Sequence, residues 1–298
     1  EKAVAVFSRD GRHLVVGGGA GPIDIWDVTS GRRSGAAVHP GGDPEFGFFV
    51  GADPADTSVL ATVSSTEPAG EVILWDRSDP DRPRRIGQPL RFALFNRSVA
   101  TAAASDDGTL LAAGANAGLT TSVWDVRTQA LLHELPGAPG GFVPGSHTLT
   151  TAQLGRIVLW DARLGTQDGD PLTDPGPEGD PFFLPAPGGP YRFSDDGRLL
   201  AALDWSGLRV FDLDARRPTG SLIKLESRDL PISFLPDGRL LTSGTQTLGV
   251  CQLGTTDPPY ATTLAGHSGS TFGQLIPGTH DALTMGVDDH RLLRWDIT

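Results

Sequence analysis

Apolar residues in this chain come in short runs, and the runs end alike. PIDIWD (22–27), VILWD (72–76), SVWD (122–125), IVLWD (157–161) and LLRWD (292–296) each close on Trp-Asp, and LRVFD (208–212) and LGVCQ (248–252) repeat the phrase with the pair replaced. Gly, Pro, Asp and Ser residues punctuate the chain between the runs, as they do between strands. No segment carries apolar positions at i, i+3 and i+4 over 11 residues, so the pattern predicts an all-β chain without helices.

A second phrase precedes the first. FSRDG (7–11), ASDDG (104–108), FSDDG (193–197) and FLPDG (234–238) place Asp-Gly between two apolar runs, with weaker forms in FVPGS (142–146) and LIPGT (275–279). Asp-Gly between strand-patterned runs is a strong hairpin signal, because glycine accepts the positive φ that the turn needs. From the start of this phrase to the aromatic position is 19, 20, 18, 18, 17 and 20 residues, and 26 in the second unit, where GADPADTS (51–58) is inserted. Successive aromatic positions lie 49, 49, 36, 51, 40 and 44 residues apart. These intervals are near the length of one four-stranded propeller blade. Fourth strands are expected in ALLHEL (130–135), TGSLIKL (219–225) and YATTLAG (260–266).

On these units the chain resembles the WD-repeat β-propellers, of the type carried by bacterial proteins. The resemblance implies a seven-bladed β-propeller of four-stranded antiparallel blades, with residues 1–298 forming one domain. It implies structural roles for Trp26, Trp75, Trp124, Trp160, Phe211 and Trp295, whose rings fill the wedge between adjacent blades. The family's fuller signature joins a Gly-His, a turn Asp, a Ser or Thr and the Trp in one hydrogen-bonded set. Only the seventh unit matches, with Gly266-His267 and with Asp289 six residues before Trp295; Thr284 lies one position off the register expected for the hydroxyl. Ala20, Ala69, Gly118 and Leu154 stand at the turn-Asp position elsewhere, so most blades are expected to rely on apolar packing. The first unit opens on its innermost strand and the last ends just after Trp295-Asp296. The expectation is a last blade of three strands, or one completed by residues upstream. With Met285 as the sole methionine, the chain is expected to be one domain of a longer regulatory protein, such as a serine/threonine kinase or a signalling ATPase.

Composition narrows the function. A net charge of −12 and a pI near 4.9 disfavour a nucleic-acid or anionic-membrane partner. Glycine and proline make up about a fifth of the residues, which suits many turns. Cys251 is alone, so neither an intrachain disulfide nor a cysteine-rich zinc site is possible, and it reads as an apolar filler at an aromatic position. No apolar run approaches the ~18 residues of a membrane span, and a cytoplasmic location is expected. GGGAG (17–21) lacks the Lys-Ser/Thr of a phosphate loop and reads as a hairpin. DGDPLTDPGPEGDP (168–181) has its carboxylates separated by prolines and reads as an exposed acidic linker rather than a calcium loop. The seven histidines are scattered, with His147 and His290 in turns and His267 structural. No catalytic or metal-ligating constellation is visible, and no cofactor is expected.

Two ends of the blades remain. One carries the Asp-Gly hairpins and the turns with Arg32-Arg33, Arg82, Arg84-Arg85, Arg127, Arg163 and Arg216-Arg217, and reads as a self-compensating rim. The other carries Arg91, Phe92, Phe95, Arg97, Phe182, Phe183, Trp205 and Arg228, the aromatic and arginine types that dominate interface energies. These aromatics either tuck under their own loops or form a face for a protein or peptide. The expected function is a non-catalytic protein-interaction scaffold or sensor; the alternative is a propeller enzyme or small-ligand binder with its site in the central channel.

Overall fold

The computed structural model describes residues 4–17, 21–40, 44–50, 56–64, 69–94, 100–115, 119–153, 156–173, 191–203, 207–220, 222–223, 230–243, 245–253, 260–276, 279–286, 289 and 291–297. They contain strands and turns and no helix. The fold is a seven-bladed β-propeller of antiparallel blades, with four strands in each of blades one to six. The described residues fall into two compact units, one within 1–152 and 159–168, the other within 153–158, 169–183 and 188–298.

In the first unit, blade one comprises Val4–Phe7, His13–Gly17, Asp24–Asp27 and Arg32–Arg33. Blade two comprises Pro44–Phe49, Val59–Ser64, Ala69–Asp76 and Arg84–Ala93, and blade three Ala100–Ala104, Leu110–Ala115, Thr120–Asp125 and Leu131–Pro136. Blade four is built on Ala138–Phe142, Thr148–Gln153, Arg156–Asp161 and Thr166–Gln167. Its outer edge continues as Leu172–Thr173, paired with Arg156 and Ile157, so part of the expected acidic linker is a strand. Blade five holds Tyr191–Phe193, Leu199–Leu203, Leu208–Asp212 and Arg217–Pro218, with Ile223 bridging to Leu208. Blade six holds Leu230–Phe234, Leu240–Ser243 and Thr245–Cys251. The long strand Tyr260–Leu275 pairs first with Thr245–Cys251 and then with Asp281–Gly286, so it is outer strand to blade six and inner strand to blade seven. Among the described residues blade seven has three strands, ending on Leu292–Asp296.

The third-strand aromatics pack on the blade before them. Trp75 shares a core with Val15, Ile23, Ile25 and Val38 of blade one, and Trp124 with Val63, Val72, Leu74 and Leu90 of blade two. Trp160 packs against Ala112, Val123 and Leu135 of blade three. Cys251, fully buried, does the same against Ala201, Leu208 and Val210 of blade five, and Trp295 against Leu241, Leu248 and Val250 of blade six. Phe211 is completely buried. Trp26 is 38% exposed, against 3% for Trp124.

The Asp-Gly hairpins share one construction. In blade one the Ser8 hydroxyl donates to Asp10 (2.6 Å) and accepts from the His13 N–H (2.9 Å), while the Arg12 N–H donates to Asp10 (3.0 Å). Ser105 and Asp107 repeat this in blade three, and Ser194 and Asp196 in blade five. The glycine that follows each carboxylate has φ of 70°, 65° and 69°, the left-handed region that a side chain disfavours.

Truncating Trp124 to Ala leaves a cavity in a closed core and is expected to cost about 3–5 kcal/mol. Trp26→Ala, already half in solvent, is expected to cost less than half as much. Urea unfolding of the two variants, monitored by far-UV circular dichroism, measures the difference.

Candidate functional site

The polar set of blade seven is complete. His267 lies against Asp289 through Nδ1 (3.0 Å) and against the Thr284 hydroxyl through Nε2 (2.8 Å), and Trp295 Nε1 donates to the same hydroxyl (2.6 Å). The His267 side chain is 1% exposed, so this is an interior network. Asp289 also accepts the N–H groups of Arg291 (2.9 Å) and Ser268 (3.1 Å). Those turn amides, the Arg291 one foremost, and His267 hold its carboxyl down to about 2.

Thr284 is therefore the hydroxyl member, and the cross-strand register explains its position. Trp295 stands opposite Ala282, and Thr284 is two residues further along the same strand, the diagonal neighbour on the same face. Blade two obeys the same rule: Trp75 stands opposite Leu60 and its Nε1 donates to Thr62 (3.0 Å). Trp160 likewise donates to Thr151 (2.9 Å). Three blades thus hold an indole–threonine bond where sequence reasoning expected one at most. The signal lies in threonines on the second strands, read diagonally. Where Val16, Ala113 and Ala202 occupy the diagonal position, no hydroxyl is offered.

In blades one to five the Asp after the third-strand aromatic serves the next turn. Asp27 accepts from the Ser30 N–H, Asp76 from Ser78, Asp125 from Thr128, Asp161 from Arg163 and Asp212 from Ala215, at 2.6–2.9 Å. Hydroxyl and amide hydrogen bonds hold the carboxyls of Asp27, Asp76, Asp125 and Asp212 below the ordinary range.

The rim is strongly internally paired around Asp106 and Asp107. Asp107 accepts from Ser105 (2.7 Å), Thr109 Oγ1 (2.7 Å), His147 Nε2 (2.7 Å) and Arg163 (3.1 Å). Burial opposes its ionisation, but these hydrogen bonds outweigh burial and hold the carboxyl well below the usual range. Asp106 pairs with Arg9 and accepts the Gly145 N–H (2.6 Å). His147, expected in a solvated turn, is in a turn but engaged by Asp107. Among the described residues no three His, Cys, Asp or Glu side chains are placed to hold a metal ion, and no helix is long and apolar enough to cross a membrane.

Of the residues proposed for partner binding, Arg91 and Phe92 are described. Arg91 is exposed and paired with Glu71 (3.0 Å). Phe92 is 4% exposed, seated over Gly70 in the core that Trp124 closes, so its ring is unavailable at the surface. The reason is register: Phe92 stands opposite Gly70, whose missing side chain leaves room for it. Phe95, Arg97, Phe182, Phe183, Trp205 and Arg228 lie outside the described residues, as does His290. Leu119, which sequence reasoning passed over, is 77% exposed in the hairpin between the second and third strands of blade three. Strand direction puts that hairpin at the same end of its blade as Arg91 occupies in blade two.

No family model and no curated protein matches the chain. Among solved structures, the β-propeller domain of Cps50 (Swd1) from Myceliophteria thermophila matches with a TM-score of 0.68 over 99% of this chain and 97% of that one, at 16% identity. At that identity the likeness shows the fold, and it agrees with the strand order above.

Thr284→Val would leave both His267 Nε2 and Trp295 Nε1 without their shared partner, and is expected to destabilise by about 2–4 kcal/mol, against about 1–2 for Thr62→Val. Chemical denaturation at neutral pH tests the ranking. Asp289 has a depressed folded-state pKa, so its contribution is present above the unfolded value of ~3.9 and lost as pH falls through about 2. Asp289→Asn is expected to weaken the protein at pH 7 and to flatten its loss of stability between about pH 4 and pH 2, measured by thermal unfolding across that window.

Proposed function

We propose that this propeller is a non-catalytic interaction module that holds a protein or peptide, or another part of its own chain, against the ends of the blades that carry the inter-blade loops. The observation that carries the reading is Leu119 at the loop end; at the hairpin end Leu164 (68%), Leu131 (52%) and Val28 (40%) are exposed to a lesser degree. At the hairpin end the carboxylates are occupied by turn amides, hydroxyls and arginines of the same chain. At the loop end Leu119 stands 77% exposed, the most exposed large apolar side chain among the described residues, and Arg91 is exposed nearby in chain order on the adjoining blade. Exposed apolar and arginine side chains on a rigid frame are the ingredients of an interface. Phe95, Arg97, Phe182, Phe183, Trp205 and Arg228, which lie outside the described residues, are candidates on the sequence pattern alone.

In this reading the chain serves as a scaffold or sensor within a bacterial regulatory protein in the cytoplasm. Its net charge of −12 favours a partner recognised through apolar and arginine contacts over a polyanion such as nucleic acid or an anionic membrane.

Affinity capture from an extract of the source organism, quantified by mass spectrometry, tests this with the parent protein and two variants, Leu119→Asp and Trp205→Ala. Enrichment of a specific partner is expected to fall at least ~10-fold in each variant, the effect of losing one good anchor. A partner retained equally by wild type and both variants would refute the placement. Retention of nucleic acid that weakens steeply with salt would refute the class.

A further inference from the structure

The turn after each third strand repeats a detail that its role in capping does not explain. The fifth residue past the aromatic position is Gly31, Pro80, Gln129, Gly165 and Arg216 in blades one to five. Four of them have positive φ: Gly31 (64°), Gln129 (59°), Gly165 (71°) and Arg216 (53°). Gln129 and Arg216 are the two non-glycine residues in that region among those described, a conformation that side chains disfavour. Something holds them there.

The turns of blades two to five meet the outer strand region of the preceding blade, and each meeting pairs a bulky group with a glycine. Pro80 offers its carbonyl to the Ala36 N–H (2.9 Å), and a Cβ added to Gly35 would lie 2.2 Å from that oxygen. Gln129 Nε2 donates to the Ile86 carbonyl (2.8 Å), and a Cβ on Gly87 would lie 1.8 Å from Gln129 Oε1. The Arg216 guanidinium lies over Gly169, 3.2 Å from where a Cβ would stand. Between blades three and four the roles are exchanged. The turn carries Gly165, and the outer strand supplies His133, whose Nε2–H donates to the Arg163 carbonyl (3.0 Å) and whose ring would lie 2.5 Å from a Gly165 Cβ. Among the described residues, Gly31 alone of these has nothing within 4 Å of its absent side chain.

We propose that these four meetings are inter-blade clasps, in which a peg from one blade seats over a glycine of its neighbour and sets the spacing of consecutive blades at their outer edges. The peg can come from either side because only the sum of the two side chains must fit the gap. The clasp also places side chains and turns against outer strands, whose free edges otherwise invite pairing with other chains. Arg77 reinforces the first clasp from below: 3% exposed, it donates to the Ser34 carbonyl (2.7 Å).

Gly31 and Gly165 share sequence position and backbone conformation, so alanine imposes the same backbone penalty at both, and only Gly165→Ala meets a peg. The expected result is a melting temperature lower for Gly165→Ala than for Gly31→Ala by roughly 2–4 °C. In the Gly165→Ala background, His133→Ala is expected to recover most of that gap, although His133→Ala alone lowers the melting temperature. Equal losses at the two glycines, or a His133→Ala effect that simply adds to Gly165→Ala, would overturn the clasp. Should Gly165→Ala fail to accumulate as folded protein, Gln129→Gly carries the test. It removes the disfavoured side-chain conformation, yet the clasp predicts amide exchange on the order of tenfold faster across residues 84–93. Unchanged or slower exchange there would overturn it.

Discussion

The structure depends on a large side chain at the end of each third strand finding its apolar surface on the previous blade. A single four-stranded blade is a sheet with two faces and cannot cover either. Trp75, Trp124, Trp160 and Trp295 close one blade's face against the next, and burying a side chain of this size supplies more stabilisation than any polar contact in the molecule. The indole carries one N–H into that interface, and where a threonine lies diagonally across the strand the N–H is satisfied. Blade seven extends the idea, with Thr284 shared between Trp295 and His267 and the histidine held in turn by Asp289.

Around this core, polar side chains act mainly on the backbone. Aspartates after the third-strand aromatics accept turn amides, and the Ser-x-Asp-Gly hairpins close on their own hydroxyls and carboxylates. The same turns reach back over the preceding blade's outer edge. A rim with so many mutually engaged charges is a source of rigidity, because each carboxylate holds several turn amides, hydroxyls or arginines in place at once. The scaffold reading draws on that rigidity together with the exposed apolar and arginine side chains at the loop end.

Some of this architecture was legible in the chain. Recurring Trp-Asp and Asp-Gly phrases at nearly constant separation specify strand, hairpin and repeat, since each depends on local backbone chemistry and a period of two. They also locate His267 and Asp289. Less legible was the interface. Phe92 reads as a surface aromatic, but it stands opposite Gly70, and that pairing buries it. Thr62 and Thr151 look like ordinary strand threonines until pairing sets Thr62 diagonal to Trp75 and brings the Thr151 hydroxyl to the Trp160 indole.

What the sequence determined by itself was therefore the repeated unit: its strands, its turns and the aromatic that ends each third strand, all of them consequences of residues a few positions apart. Which hydroxyl meets which indole, which ring is buried and which glycine receives a neighbour's side chain were decided only by tertiary structure. Those facts join residues from 9 positions apart, as for Trp160 and Thr151, to 47, as for Gly169 and Arg216, and such meetings exist only once strands have paired and blades have stacked.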